Sequence, residues 1–265
     1  MSHTLLRSEV DGRLAAARHA FSAPERIPAT PQELAALAPG ALPALVHEGQ
    51  KLARWTLGQG PRVLLVHGWN GRATQWLPWL PALQAAGFSV TLFDLPGHGE
   101  SSGHEASVEH AARAVQDLNA EIGELHALVG HSMGSAAVLA ALSRGVRVQR
   151  SVHLAGPSSL TPVVYGMAAA HGLEGDDRRA FAGWAERFIG QPLARLDLAQ
   201  LRDGLRHPGL VLHDPQDRVV PYAASEALRA TWPQARLQPT PGLGHRRLLA
   251  DPDVIRQAVD FLRGD

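Results

Sequence analysis

The sequence contains no cysteine among its 265 residues, which excludes disulfide bonds, thiol nucleophiles and cysteine metal sites. A chain of this kind fits a reducing compartment, and we expect a cytoplasmic protein. Lysine is nearly missing as well, because Lys51 is the only one. A Walker phosphate loop and a Schiff-base mechanism both require a lysine in a defined place, which Lys51 does not occupy.

The chain also lacks a surplus of either charge. Lys and Arg number 25, Asp and Glu number 25, and the formal net charge is zero. No basic excess is therefore available to release counterions from a nucleic-acid backbone, and we expect no nucleic-acid partner. No apolar run approaches the ~20 residues that span a bilayer, and the first ten residues are polar and mixed. We therefore expect no membrane association.

Short apolar runs alternate along the chain with longer helical patterns. This alternation is typical of βαβ units and predicts an α/β fold with a mostly parallel central sheet flanked by helices. The strands are predicted at residues 51–57, 62–66, 89–93, 127–129, 150–154, 209–212 and 235–238. The helices of this core are predicted near residues 76–86, 108–122, 132–143, 223–231 and 254–262.

Two stretches fall outside this alternation. Residues 1–44 combine a short helical pattern at 14–21 with a segment rich in proline, which predicts a leader packed on the core. Residues 156–207 separate two predicted strands, and helical patterns at 163–170, 178–189 and 198–205 predict a small helical insertion there. The α/β core is then expected in residues 45–155 and 208–265.

The segment Gly130-His131-Ser132-Met133-Gly134 has the pattern G-x-S-x-G and lies between a predicted strand and a predicted helix. A serine in such a tight turn projects its hydroxyl out of the sheet, and small neighbours let backbone approach without clashing. The free N–H groups at the start of the helix point toward developing negative charge. Ser132 is therefore the predicted nucleophile.

A serine hydroxyl needs a histidine to accept its proton and an acid to hold that histidine. Of the 14 histidines, His245 follows the last predicted strand on a glycine-rich loop, and we predict it to be the base. The acid is expected in the turn after the strand at 209–212, which offers both Asp214 and Asp217. The loop after residue 154 offers no carboxylate near its start.

Hydrolysis through a serine also needs hydrogen-bond donors for the negative oxygen of the transition state. The strand at 62–66 ends in His67-Gly68-Trp69-Asn70-Gly71, a loop that can turn a backbone N–H toward the serine. The backbone N–H groups of Trp69 and Met133 are the predicted donors.

The sequence resembles the α/β-hydrolase family, in its serine esterase and lipase branch, over about residues 45–265. Four blocks carry the resemblance in the family's order: His67-Gly68-Trp69, the loop 94–101, the 130–134 turn, and the Asp217 and His245 segments. The resemblance implies that Asp217 is the acid, that the loop 94–101 rims the site, and that residues 156–207 form a cap over the substrate pocket. The residues expected to line that pocket are His67, Gly68, His131, Tyr165, Met167, Trp184 and Phe188.

Haloalkane dehalogenases and epoxide hydrolases look similar but carry an aspartate where this chain has Ser132, so the resemblance favours chemistry on an acyl group. We expect a small-molecule acyl substrate, and a carboxylic ester hydrolase is the leading hypothesis. A thioesterase, an acyltransferase and a carbon–carbon bond hydrolase would use the same triad. A non-catalytic protein that binds a small ligand on this scaffold is the alternative from another class.

No cofactor and no metal ion are expected. The histidine-rich segments His104-Glu105 and Glu109-His110 form neither H-E-x-x-H nor H-x-x-E-H, so the sequence does not favour a metal enzyme.

Overall fold

The computed structural model describes residues 2–265, and Met1, the first residue of the predicted leader, lies outside them. Its centre is an eight-stranded sheet with the order β1-β2-β4-β3-β5-β6-β7-β8. The strands are β1 (Ala41–His47), β2 (Gln50–Leu57), β3 (Arg62–Val66), β4 (Ser89–Phe93), β5 (Ala127–His131), β6 (Arg150–Leu154), β7 (Gly209–His213) and β8 (Ala235–Pro239). β2 runs antiparallel to β1 and β4, and all strands from β3 onward pair in parallel. The predicted α/β fold with a mostly parallel sheet is confirmed.

Eleven α-helices accompany the sheet within the described residues. They are α1 (Ser2–Ser22), α2 (Pro31–Leu37), α3 (Leu80–Ala85), α4 (Val108–Ile122), α5 (Met133–Ser143), α6 (Leu160–Ala170), α7 (Gly175–Ile189), α8 (Leu198–Leu201), α9 (Ala223–Thr231), α10 (Gly244–Arg247) and α11 (Pro252–Arg263). Short 3₁₀ helices span Ala38–Gly40, Ala73–Trp79, Leu193–Leu196 and Arg202–Gly204. No helix among residues 2–265 has the length and apolar character needed to cross a bilayer.

Both faces of the sheet are covered, because successive side chains of a strand point to opposite sides. In β3, Leu64 and Val66 join the core on the side of α4 and α5, whereas Val63 and Leu65 join the core that α3 and α11 cover. A strand buried on both faces reads as a continuous apolar run, which is why β3 shows no alternation in the sequence. The strand ends at one edge are thereby held on a rigid, fully packed layer.

Helix ends follow local signals in the sequence. Asp251 caps α11 by accepting the N–H groups of Asp253 and Val254, and Gly264 ends the helix in the left-handed conformation. Thr30 and Glu33 form a capping box at the start of α2, in which each side chain accepts the backbone N–H of the other residue. The sequence analysis missed α2, although this signature precedes it.

The predicted division at residues 44 and 45 is wrong, because it falls inside β1. β1 is a strand of the central sheet, paired with β2 from Ala41 to His47. The sequence hides it, because Pro43 interrupts the run and Val46 is 70 % exposed on this edge strand. The remainder of the predicted leader consists of α1, α2 and the proline-containing segment between them.

The interval between β6 and β7 contains α6, α7 and α8. Its parts are held to one another by polar contacts: Asp197 accepts the Thr161 N–H at 3.0 Å and the Thr161 hydroxyl at 2.7 Å. The hydroxyl of Ser159 accepts the Leu198 N–H at 3.0 Å. The aromatic face of α7 packs on α1, where Phe21 meets the rings of Phe181, Trp184 and Phe188.

Candidate active site

Four segments that follow strands converge at the carboxyl edge of the sheet. Ser132 follows β5, the turn with Asp214 and Asp217 follows β7, His245 comes after β8, and the loop with Trp69 follows β3. The carboxyl ends of neighbouring parallel strands lie at the same edge, which is where open α/β sheets build their sites. The topology therefore brings together the groups that the sequence scatters over more than a hundred positions.

Ser132 occupies a strained turn between β5 and α5. Its backbone has φ 53° and ψ −123°, a left-handed conformation that non-glycine residues rarely adopt. The Ser132 N–H donates to the Leu154 carbonyl at 2.9 Å, which ties the turn to the neighbouring strand. This backbone geometry places the hydroxyl at the edge of the sheet.

The two glycines of the motif are required by close backbone approach. A methyl group on Gly134 would lie 2.3 Å from the Val66 carbonyl oxygen and 2.4 Å from that of His67. A methyl group on Gly130 would lie 2.7 Å from the carbonyl oxygen of Gly134 and from the Cα of Ser135. Only hydrogen fits at either position, so the pattern G-x-S-x-G here has a steric cause.

Ser132, His245 and Asp217 form a continuous chain of hydrogen bonds. His245 Nδ1 lies 2.8 Å from Asp217 Oδ2, and His245 Nε2 lies 2.9 Å from Ser132 Oγ. Because an ionised carboxylate only accepts, Nδ1 carries the proton and Nε2 is left as the acceptor for the serine hydroxyl. The imidazole is thus in the tautomer that can take the proton of Ser132.

The carboxylate of Asp217 is fully buried and fully hydrogen-bonded. Its side chain is 0 % exposed, and Oδ1 accepts the N–H groups of Val219 at 2.7 Å and Val220 at 3.1 Å. Burial raises the pKa of Asp217, but the hydrogen bonds from Val219 and His245 outweigh it and hold the pKa below the usual range. Asp217 is therefore ionised at neutral pH.

Asp214, the other carboxylate of the turn, faces backbone. Its Oδ1 accepts the Gln216 N–H at 2.8 Å and its Oδ2 accepts the Gly244 N–H at 2.5 Å. It links the turn after β7 to the loop that carries His245. The structure places Asp217, and not Asp214, against the imidazole.

The loop after β3 lies directly against the nucleophile turn. A methyl group on Gly68 would lie 2.9 Å from Ser132 Cβ and 3.0 Å from His131 Nδ1. Among the residues that the structure describes, neither the Trp69 N–H nor the Met133 N–H has a hydrogen-bond acceptor. These are the two donors expected for the oxyanion, and Met133 begins α5, where the positive end of the helix dipole adds to the effect.

Two other histidines at this edge of the sheet, His67 and His131, form hydrogen bonds to neighbouring backbone groups. His67 is 0 % exposed, its Nε2 accepts the Leu95 N–H at 2.9 Å and its Nδ1 lies 2.8 Å from the Gly68 carbonyl. Both ring nitrogens are occupied, so His67 presents no polar atom to a substrate, and its predicted place in the pocket lining needs correction. His131 is buried, and its Nε2 donates to the His245 carbonyl at 2.8 Å.

The predicted pocket residues of α6 and α7 take different positions. Tyr165 is 39 % exposed and lies under the guanidinium of Arg178. Met167 is partly buried against the core. The rings of Trp184 and Phe188 stack on each other at 5.3 Å and pack on Phe21, so the structure places them in contact with α1.

A segment from the N-terminal part of the chain also reaches the site, which the sequence did not indicate. We call residues 23–28 the N-terminal strap. The Glu25 N–H donates to Asn70 Oδ1 at 2.9 Å, next to Trp69. Other hydrogen bonds of the strap join Arg26 to the carbonyls of Gly99 at 2.5 Å and Gly103 at 2.6 Å, and Arg72 to the Ile27 carbonyl at 2.8 Å.

His213, the last residue of β7, is the second site neighbour that the sequence analysis missed. Its Nε2 lies 3.2 Å from Asp217 Oδ2. Its position at the end of a strand, one residue before Asp214, is the signal that could have drawn attention to it. Within residues 2–265, no group of three or more potential metal ligands is placed to hold an ion.

The comparison with known proteins agrees with the fold. A family model described as the alpha/beta hydrolase fold matches residues 61–203, more than half of the chain. The chain belongs to the α/β-hydrolase family. Curated relatives of the chain include a methyl ester esterase and a protein named as a putative carbamate hydrolase, and the protein is accordingly a hydrolase.

Individual relatives place the chain among enzymes of similar length. It is 29% identical over 258 residues to the pimeloyl-[acyl-carrier protein] methyl ester esterase of Chromobacterium violaceum, covering 78% of this chain and 96% of that one. A Pyrococcus furiosus esterase superposes with a TM-score of 0.67 at 19% identity, covering 91% of this chain and 98% of that one. The meta-cleavage product hydrolase of Pseudomonas fluorescens gives a TM-score of 0.64 at 19% identity, with 84% and 98% covered. At such identity the two structures support the fold alone.

Proposed function

We propose that this protein hydrolyses a carboxylic ester through a covalent acyl-enzyme on Ser132. The observation that carries the proposal is the chain of hydrogen bonds from Ser132 through His245 to Asp217 at 2.9 and 2.8 Å. A serine, a histidine and a carboxylate joined in this order are the arrangement by which acyl transfer to a serine proceeds, which supports these roles for the three residues. The name of the Chromobacterium violaceum relative, a methyl ester esterase, supports the ester as the bond that is cleaved.

Acylation begins with attack of Ser132 Oγ on the ester carbonyl carbon while His245 Nε2 takes the hydroxyl proton. The carbonyl π electrons move to its oxygen, and the Trp69 and Met133 N–H groups hold the resulting anion. The oxyanion then collapses, the bond to the alkoxy oxygen breaks, and His245 gives its proton to that oxygen. An alcohol leaves and the acyl group stays on Ser132.

Deacylation repeats these steps with water. His245 Nε2 takes a proton from water as its oxygen attacks the acyl carbon, and the same N–H groups hold the second oxyanion. Collapse breaks the bond to Ser132 Oγ, which takes back the proton from His245, and a carboxylic acid leaves. Asp217 stays ionised throughout and stabilises the imidazolium that forms in each half of the reaction.

We propose that the acyl group of the substrate is apolar. Several exposed large apolar side chains belong to segments that follow the carboxyl ends of β6 and β7: Val163 at 36 %, Tyr165 at 39 % and Val219 at 66 %. Exposed apolar groups on segments that follow these strand ends offer contact area for an alkyl or aryl chain. We propose that residues 156–207 form the cap over this side of the site, with Tyr165 and Met167 as its substrate contacts.

The test combines turnover with labelling of the serine. Wild type should hydrolyse p-nitrophenyl esters, with a preference along a series from acetate to decanoate, and a fluorophosphonate probe should label Ser132. Ser132→Ala should lose turnover by about 10⁴-fold or more, because triad members act as a unit, and should keep the wild-type melting temperature. Thioester, amide and lactone substrates of matched acyl length identify the preferred bond.

The matched control is Ser143→Ala, which removes a hydroxyl from the far end of α5, where it bonds the Ala140 carbonyl. This variant should keep both turnover and labelling. Turnover by Ser132→Ala within tenfold of wild type would contradict the nucleophile assignment. A wild type that is neither labelled nor active on any ester would instead favour a ligand-binding protein on this scaffold.

A further inference from the structure

The acid of the triad is contacted by two imidazoles, although the mechanism uses only one. Oδ2 of Asp217 lies 2.8 Å from His245 Nδ1 and 3.2 Å from His213 Nε2. The side chains of Asp217 and His213 are both 0 % exposed. His213 is therefore a buried second partner of the oxygen that orients His245, and it takes no part in the proton transfer to and from Ser132.

The protonation of His213 follows from its partners. Nε2 faces two acceptors, Asp217 Oδ2 and the Val220 carbonyl at 3.1 Å, so Nε2 must carry a hydrogen. Nδ1 lies 2.7 Å from the hydroxyl of Ser225 in α9, which can donate its proton to it. Burial lowers the pKa of His213 more than the charge of Asp217 raises it, which keeps the ring neutral. One tautomer satisfies every contact, with Ser225 as donor and Asp217 as acceptor.

His213 is fixed by packing as well as by hydrogen bonds. Its ring meets the Tyr222 ring edge to face at 5.5 Å, and this contact joins the end of β7 to the N-cap residue of α9. The charged and titratable groups that face it are Asp217, Tyr222 and, through the shared carboxylate, His245. The donor is therefore placed by rigid elements and not by the loop that carries Asp217.

We propose that His213 is a positioning residue that fixes Oδ2 of Asp217 and thereby orients His245 for the ester hydrolysis proposed above. The carboxylate is held at Oδ1 by two backbone N–H groups and at Oδ2 by two imidazole N–H groups. Four donors leave it no freedom to rotate away from His245. Sharing Oδ2 between two donors also lowers its basicity, so the proton on Nδ1 of His245 stays there when the imidazolium forms.

Two amides of different reach separate this role from simple packing. In His213→Asn the amide lies near the position of Nδ1, so contact with Ser225 is kept and the bond to Asp217 is lost. In His213→Gln the amide lies near the position of Nε2, so an N–H can again reach Oδ2. We expect Asn to lower kcat by about ten- to a hundredfold with little change in KM, the equivalent of one hydrogen bond to a charged group. Gln should recover most of that loss.

The control is His126→Asn, which removes an imidazole that bonds the Leu262 carbonyl at the opposite edge of the sheet. It should leave kcat unchanged. The pH profile of kcat/KM adds a readout that packing does not move. Without the second donor Oδ2 is more basic and favours the imidazolium of His245, so the acid limb of His213→Asn should move to higher pH by up to about one unit.

Nitrogen NMR of the wild type tests the inference without reference to turnover. His213 should carry its proton on Nε2 alone, and a proton on Nδ1 would overturn the proposal even if the variants fail to fold. A kcat and acid limb of His213→Asn equal to wild type would overturn it as well, while Ser132 labelling and an inactive Ser132→Ala left the proposed function standing. If the wild type hydrolyses no ester, the readout is the far-downfield NMR signal of the proton between His245 and Asp217. Loss of this signal in His213→Asn and its return in His213→Gln support the proposal. Persistence of the signal in both variants overturns it.

Discussion

Glycine at position 68 determines how closely two segments of the site approach each other. The loop after β3 contacts the nucleophile turn there, with the hypothetical methyl group of an alanine 2.9 Å from Ser132 Cβ. Such a contact is shorter than van der Waals separation, so one of the two segments must move. The loop also carries Trp69, whose N–H is proposed to hold the oxyanion.

Gly68→Ala is therefore expected to lower kcat by about a hundredfold, comparable to the loss of one oxyanion donor, with a smaller effect on KM. Steady-state kinetics on the preferred p-nitrophenyl ester check it. The matched control is Gly166→Ala in α6, where no atom outside the local helix backbone lies within 4 Å of the added methyl group. That change should raise the free energy of unfolding by up to about 1 kcal/mol, because alanine is the better helix former. Equal kcat values for both variants would contradict the close-approach argument.

The two aspartates of the turn after β7 should respond differently to the loss of charge. Asp217→Asn should lower kcat by about 10⁴-fold, because an amide N–H facing His245 favours the wrong tautomer. Asp214→Asn keeps one of the two backbone hydrogen bonds at Gln216 and Gly244, and its free energy of unfolding should fall by about 1–3 kcal/mol. Kinetics and thermal melts of both variants decide it. An inactive Asp214→Asn beside an active Asp217→Asn would reverse the assignment of the acid.

At the scale of elements, α1 and the N-terminal strap connect α7 to the loop after β3. Phe21 is 8 % exposed and its ring lies 6.0 to 6.2 Å from three rings of α7. The N-terminal strap that follows bonds Asn70, beside Trp69. A displacement of α1 would therefore shift both α7 and the loop after β3. These contacts with the site come from a part of the chain that precedes the region of family resemblance.

Phe21→Ala should lower the free energy of unfolding by about 3–5 kcal/mol, as for other buried phenylalanines. We also expect a higher KM, because α7 loses the partner against which it packs. Urea titrations and ester kinetics check the two parts. Leu34→Ala in α2 is the control, since this side chain is 38 % exposed and should change stability by less than about 0.5 kcal/mol. Unchanged stability of Phe21→Ala would show that α1 does not brace α7.

The residues of the candidate site could be predicted from the sequence where the chemistry requires a particular residue type, and not where a residue acquires its role only through a contact in the folded protein. The meeting of Ser132, Asp217 and His245 at one edge of the sheet could be predicted, because acyl-transfer chemistry requires these residue types in this order and each residue follows a strand. His213 could not, because a histidine at a strand end acquires its partner only when Asp217 folds back over it. β1 was missed for another reason: on an edge strand with four exposed residues at its start, apolar periodicity carries little information.

At the scale of the whole molecule, the free energy of unfolding should depend on pH because several neutral histidines are buried. His67, His98, His131 and His153 are each at most 4 % exposed. Burial lowers the pKa of His67 to about 4 and those of His98, His131 and His153 to about 3. They occupy the loop after β3, the 94–101 loop, the turn at 130–134 and β6. Protonation of these rings at low pH would therefore destabilise the segments that surround Ser132.

Stability should therefore fall with decreasing pH. In the unfolded chain these rings take up protons near pH 6.5, whereas in the folded protein they resist protonation down to about pH 4 or below. The unfolded state binds more protons throughout this window, so each ring removes at most about 1.4 kcal/mol per pH unit from the free energy of unfolding. Asp94 opposes the trend, since burial raises its pKa, whereas burial also lowers the pKa values of His110, His207 and His213, which adds to the trend.

Urea titrations at half-unit steps from pH 7 to pH 5 measure this slope, and His153→Asn tests its origin. The variant lacks one of the four rings, so its stability should depend on pH less steeply than that of wild type, by about one proton per molecule. A uniform loss of stability from the cavity would shift the curve without changing its slope, which separates the two effects. His104→Asn is the control, because that side chain is exposed and its loss should leave the slope unchanged. A wild-type stability that is flat between pH 6.5 and 5 would contradict the argument that the buried rings are neutral and resist protonation.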